Sequence, residues 1–247
     1  MTYCIGMNLD RGMIFASDSR TNAGVDDVRR AGKMRVFAQD GDRVIVTLSA
    51  GNLSVTQNAL NLLEHRARHG DAPGLYGAMS MFEVASMVGD AMREIRKRDE
   101  PYLRDSGIDA AATFIVGGQI AGEAPRLFLV YSEGNFIESN PDTCWFQAGE
   151  AKFGKPILDR VITPQTQLDD AAKCALVSFD STMRSNLSVG PPIDLLVYAR
   201  DSLVVGNRQR LDDDDPYLNL VRTHWNDSLR AALNALPGPG WLAVDPG

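Results

Sequence analysis

A threonine follows the initiator methionine directly in MTYCIGMNL, and an apolar segment begins at once. Chain ends usually fray unless something ties them down. A hydroxyl is a poor nucleophile until a base takes its proton. A residue with a free α-amine carries that base on its own skeleton, with a reference pKa of about 7.7–8.0. Removal of Met1 would therefore make Thr2 a nucleophile and a base in one residue. Its branched Cβ stiffens χ1 and helps hold the hydroxyl in one orientation.

Such a residue needs a cation to keep the amine neutral, a carboxylate to hold that cation, and backbone donors for an oxyanion. The stretch FASDSRTNAG offers Asp18 and Arg20 where a strand ends. The stretch RRAGKMRVF offers Lys33 just before the next apolar run. In LSAGN, Gly51 stands beyond a strand end, where its N–H could face a substrate with no side chain in the way.

The elements that must position these groups are legible from patterning. Tyr3 to Leu9 and Met13 to Ser17 flank Asp10-Arg11-Gly12, a hairpin signal, and Met34 to Ala38 and Arg43 to Ser49 flank a second turn. Apolar residues at helical spacing predict helices over Ser54 to His69 and Ser80 to Lys97. Strands are predicted over Ala112 to Gly117, Leu127 to Tyr131 and Asn135 to Glu138, then helices over Gly154 to Val161 and Leu168 to Arg184. Asp194 to Tyr198 and Ser202 to Val205 read as a late hairpin, and a last helix runs from Pro216 to about Ala235. Hairpins imply mostly antiparallel sheets. Helices arriving in pairs argue against a doubly wound fold. The pattern predicts two packed sheets with helices outside, in one domain spanning residues 1–247 whose C-terminal helix and tail begin near residue 212.

Composition narrows the function. The 247 residues are 44% hydrophobic and carry a net charge of −7. A chain this acidic is not expected to bind nucleic acid or an anionic membrane surface. No apolar run approaches the roughly 20 residues that cross a bilayer, and the start lacks the features of a signal peptide, so a cytoplasmic protein is expected. Cys4, Cys144 and Cys174 are scattered and form no C-x-x-C, which suggests neither a disulfide framework nor a zinc site.

The ordered set of Thr2, S-D-S-R, G-K and S-A-G resembles a proteasome-type β subunit, and FASDSRTNAGVD is most similar to the bacterial ancestral-β-subunit branch, Anbu. The resemblance implies an N-terminal-nucleophile hydrolase with a four-layer αββα fold of the α+β class. It implies Thr2 as nucleophile, Asp18 and Lys33 as its charge-relay neighbours, and Gly51 as oxyanion donor. Arg20 would be a structural partner near the site, and Asn22 would lie in the strand that pairs with substrate backbone. The segment M-R-S-N-L-S-V-G puts Ser188 on the family's late serine, but Ser185 stands where an aspartate is expected, and Glu150 stands where a serine is usual. The implied activity is hydrolysis of peptide or amide bonds inside a ring-like or helical homo-oligomer, with no metal or cofactor. Whether an ATPase serves it is left open. Trp145, Trp225 and Trp241 are candidate interface anchors. The rival reading is a non-catalytic assembly subunit that keeps Met1, and a further alternative is an amidase of narrow specificity.

Some stretches mimic other sites. Residues 149–156 come within one residue of a phosphate-binding loop, but Pro156 occupies the position that needs Ser or Thr. His65 and His69 have metal-ligand spacing but sit among charges at a helix end, where solvated side chains are expected. Asp212 to Asp215 lack calcium-loop spacing and are expected to cap the last helix.

Overall fold

The computed structural model describes residues 2–22, 28–69, 74–239 and 241, with residues 21, 22, 28–30 and 69 described by backbone alone. Among the described residues the strands are β1 (Tyr3–Leu9), β2 (Gly12–Asp18), β3 (Arg20–Asn22), β4 (Val28–Arg30), β5 (Met34–Gln39), β6 (Arg43–Gly51), β7 (Ala112–Ile120), β8 (Arg126–Val130), β9 (Phe136–Glu138), β10 (Trp145–Gly149), β11 (Ile193–Ala199) and β12 (Asn207–Leu211). The helices are α1 (Leu53–His69), α2 (Met81–Asp105), α3 (Lys155–Val161), α4 (Leu168–Ser185) and α5 (Pro216–Asn234).

Two five-stranded sheets run in the orders β10-β1-β2-β11-β12 and β5-β6-β7-β8-β9, and every pairing within them is antiparallel. Three apolar clusters define the layers. One joins α1 and α2 to the outer face of the second sheet, through Leu63, Val84, Val88, Ile45 and Phe128. Another joins α3, α4 and α5 to the outer face of the first, through Leu158, Phe179, Leu218 and Ile5. The third lies between the sheets, where Cys4, Phe15, Val46, Ile115 and Leu196 meet. The result is the expected αββα sandwich. Central strands are buried on both faces, which is why β2 and β6 read as nearly unbroken apolar runs.

Local chemistry sets the helix starts. Ser80 Oγ accepts Glu83 N–H at 3.1 Å and the Glu83 carboxylate accepts Met79 N–H at 2.7 Å, a reciprocal cap. Asp215 accepts the Tyr217 and Leu218 N–H groups, both at 2.9 Å, and Pro216 follows it at the first helical position. The acidic run before Pro216 thus ends in a cap.

Several expectations need correction. The partner of β11 is Asn207–Leu211, not Ser202 to Val205. Asp201 and Leu203 adopt φ of 62° and 49°, a left-handed backbone that no strand continues through, so the apolar residues 203–205 belong to the connecting loop. The paired residues Asn207 to Arg210 are polar because β12 is an exposed edge strand. The second helix does not stop at Lys97 but runs through Pro101 to Asp105. Three strands lack any expectation from patterning: the short pair β3 and β4, and β10, which borders β1.

Candidate active site

One end of the sandwich collects the residues singled out by chemistry. β1 begins at Tyr3, β2 ends at Asp18, β6 ends at Gly51 and β10 ends at Gly149, and Tyr3 pairs with Gly149 in register. Lys33 immediately precedes β5, and its carbonyl accepts Ser49 N–H of β6 at 3.0 Å. The two sheets meet here as well. The Cys4 thiol of β1 points at the Ser49 carbonyl of β6, 3.5 Å away.

Asp18 is fully buried and Lys33 is 4% exposed. Lys33 Nζ donates to Asp18 Oδ1 at 2.6 Å and to the Arg20 carbonyl at 2.7 Å. The same Oδ1 accepts the backbone N–H of Tyr3 at 3.0 Å. Thr2 therefore sits one peptide unit from a buried ion pair. Burial pushes the Asp18 carboxyl above the ordinary carboxylate range. Lys33, the Tyr3 N–H and the Gly190 N–H pull it back down. Among the described residues Asp18 Oδ2 makes no hydrogen bond of good geometry. The Gly190 N–H acts on the carboxylate as a nearby dipole.

Thr2 is half-buried. Its carbonyl accepts Glu150 N–H at 2.7 Å. Gly149 makes this approach possible, with φ of 86° and a position where an added Cβ would stand 2.0 Å from the Thr2 carbonyl oxygen. Met1 lies outside the described residues. Behind Thr2, the buried Tyr3 hydroxyl bonds Ser178 Oγ at 2.7 Å and accepts from Gln147, which fixes the start of β1 against α4.

Gly51 closes β6 with φ of 101°, and a Cβ there would stand 2.3 Å from the Ala111 carbonyl. Arg20 donates to the Leu187 carbonyl at 2.8 Å, and its guanidinium lies across Gly190. Ser188 is tied in through its backbone, whose N–H donates to Asn186 Oδ1 at 3.0 Å. Ser185 is the last residue of α4 and is exposed. The Asn22 backbone lies in β3, opposite Val28, and its side chain lies outside the described residues. Thus Thr2, Asp18, Lys33 and Arg20 share one connected network, with Gly51 at the same end of the sandwich.

One contributor escaped sequence reasoning. Asn186 lies inside the late M-R-S-N-L-S-V-G segment but carries no implied role there, and it is joined to the buried Glu150, whose carboxylate accepts from Asn186 Nδ2 at 2.9 Å. The sequence marks Glu150 only as an acid standing where a serine is usual, without its partner.

The look-alike stretches serve other ends. Gly154 packs on the Tyr3 and Ser178 hydroxyls, and Lys155 pairs with Asp159 at 2.8 Å while lying 5.1 Å from the Trp145 ring centre. His65 is exposed, and the side chain of His69 lies outside the described residues. Trp145 and Trp225 are half-buried, whereas Trp241 is 84% exposed. No described helix is long and apolar enough to cross a membrane.

Known proteins share this fold. Anbu, the ancestral β-subunit, from Yersinia bercovieri is 45% identical and superposes with a TM-score of 0.91 over 96% of this chain and 99% of that one. The chain belongs to the Anbu family. The Anbu complex of Pseudomonas aeruginosa, solved as a helical assembly, is 46% identical with a TM-score of 0.93, covering 98% of this chain and all of that one. A further Anbu, a mutant from Hyphomicrobium sp. strain MC1, is 46% identical with a TM-score of 0.90, over 97% and 99% of the two chains. Proteasome subunit beta 2 of Pyrobaculum calidifontis is 26% identical over 194 residues, 78% of this chain and 86% of that protein. No protein-family model matches the chain. By fold and by relatives, this Anbu-family chain is a proteasome-like β-type subunit.

Proposed function

We propose that this chain is a threonine hydrolase of peptide or amide bonds, active once Met1 has been removed. Thr2 Oγ attacks the substrate carbonyl carbon, and the freed α-amine of the same residue takes the hydroxyl proton. The Gly51 N–H faces the oxyanion that forms. As the C–N bond breaks, the proton passes to the leaving amine, and an ester remains on Thr2. Water, activated by the α-amine, then hydrolyses that ester and restores the hydroxyl. Lys33 disfavours protonation of the amine by like-charge repulsion and polarises the hydroxyl. Asp18 holds Lys33 in place.

The observation that carries this reading is the shared oxygen behind Thr2. Asp18 Oδ1 accepts both Lys33 Nζ, at 2.6 Å, and Tyr3 N–H, at 3.0 Å. A buried ammonium is thereby locked beside the first peptide unit of β1. Among the described residues, two acceptors take two of its three N–H groups. We further propose that copies of this chain assemble with one another in the cytoplasm, by analogy with the helical Anbu assembly of Pseudomonas aeruginosa.

Intact-mass measurement and labelling with a peptide epoxyketone test the mechanism together. The reagent needs a free α-amine and a β-hydroxyl on one residue to close its ring. A chain that begins at Thr2 and gains one label is expected, with no label on Thr2→Ala. Active material that retains Met1 would refute the mechanism, and inactive material that retains Met1 would favour a non-catalytic assembly subunit. Turnover of simple amides with no turnover of peptides would point to a narrow amidase.

A further inference from the structure

Glu150 is an acidic residue only 6% exposed, at the corner where β10 meets Thr2. Its backbone N–H holds the Thr2 carbonyl at 2.7 Å, and its carboxylate takes two other donors. Oε1 accepts Lys152 N–H at 3.2 Å and Oε2 accepts Asn186 Nδ2 at 2.9 Å. Asn186 passes the connection on. Its Oδ1 accepts Ser188 N–H at 3.0 Å, and its carbonyl accepts Val189 N–H at 3.1 Å. The next residue, Gly190, turns its N–H toward Asp18. The path leaves Thr2 through residue 150 and returns to it through Asp18 and Tyr3.

We propose that Glu150 is a positioning residue of the hydrolase. Acting through Asn186, it sets residues 186–190 against Thr2 and Asp18, and so places Ser188 and Gly190. This rests on the reading of Thr2 as nucleophile. Hydrogen-bond polarity fixes the orientation of both side chains. Glu150 accepts twice, so it meets two donors. Asn186 donates to Glu150 and accepts from Ser188, so its amide has a single workable orientation. An amide at position 150 would put a donor against a donor. Flipping Asn186 to relieve that would only move the conflict to the Ser188 N–H. A buried, half-satisfied network is costly, and the cost falls on residues 186–190, which the network ties down.

The same polarity supplies the test. In Glu150→Gln/Asn186→Asp the amide at 150 donates to the carboxylate at 186, which still accepts from Ser188 N–H. Epoxyketone labelling of the full chain is followed as a function of reagent concentration. Glu150→Gln is expected to lower the limiting rate roughly ten- to hundredfold, with half-saturation little changed, because misplacement costs rate more than binding. Asn186→Asp alone is expected to lose a similar factor at neutral pH and to recover in acid, where one proton shared between the facing carboxylates restores a donor. The double variant is expected to return most of the lost rate. Single variants that react like wild type, or a double variant no better than the product of the singles, would overturn the proposal. If Glu150→Gln does not fold, Asn186→Asp and the double variant decide the same point. A wild type that never reacts would refute the Thr2 reading alone. Amide exchange at Ser188 and Val189 then decides whether Glu150 sets the segment, being faster in each single variant and slowed again in the double. Unchanged exchange would overturn it.

Discussion

Lys33 Nζ lies 2.6 Å from Asp18 Oδ1, and neither side chain reaches solvent to more than 4%. A pair this buried gains Coulomb energy but loses hydration at both ends, so its net contribution to stability is small. Removing one member is different, because the other is left buried and alone. The pair is therefore best understood as a constraint on geometry at the start of β1.

Lys33→Met is expected to destabilise the fold by about 3–5 kcal/mol near neutral pH, through the unpaired Asp18 carboxylate. Lys33 is the largest influence lowering the Asp18 pKa, which burial already raises, so the variant raises it further. A carboxyl whose folded pKa exceeds its unfolded one favours the fold in acid. That contribution is lost as pH rises from the unfolded carboxylate value through the folded one. The deficit of Lys33→Met should therefore widen with rising pH and close in acid. Urea unfolding across pH checks this, and a pH-independent deficit would contradict it.

Gly149→Ala should damage the site without emptying any core. The residue has φ of 86°, and its new Cβ would meet the Thr2 carbonyl oxygen. Strain of about 1–3 kcal/mol is expected. Relief requires moving Thr2 away from residue 150, so epoxyketone labelling should fall more steeply than thermal stability. Labelling at the wild-type rate would show that Thr2 tolerates the shift.

Asp215→Ala removes the acceptor of two N–H groups at the start of α5. A loss of about 0.5–2 kcal/mol is expected. The effect should be confined to α5, because both lost hydrogen bonds come from the first turn of that helix. Faster amide exchange at Tyr217 and Leu218, with Thr2 labelling unchanged, is the expected signature.

Cys4 should resist thiol reagents in the native state. It is fully buried, and burial raises its pKa well above the ordinary thiol value. Cys174 is pushed up to about 11 by the same cause, so it too is mostly thiol at neutral pH. Rapid modification of Cys4 by a disulfide reagent without denaturant would mean that the sheets part near Ser49.

The fold was legible where patterning had one interpretation. The first hairpin, the paired helices and the doubly buried strands follow from residue type and spacing alone. The late edge strand was not, because β12 is polar and the neighbouring apolar stretch at residues 203–205 drew attention from it. At the site, Asp18 and Lys33 were legible as an acid at a strand end and a lysine just before an apolar run, in an order that resembles the family; their burial is a fact of the packing. The junction of Glu150 with Asn186 was not legible, because its members are 36 residues apart and only the packing of α4 on the first sheet brings them together. Local spacing reveals a motif within a segment. It carries no information on which carboxylate will meet which amide across layers.

The Asp18–Lys33 contact joins the last residue of β2, in one sheet, to the residue that introduces β5, in the other. Neither sheet alone contains both charges. A nascent chain that has paired its first strands but not yet closed the sandwich has no ammonium beside Thr2. The ion pair thus forms only when the two sheets close, and under the proposed mechanism a partly built chain lacks the ammonium that its nucleophile requires.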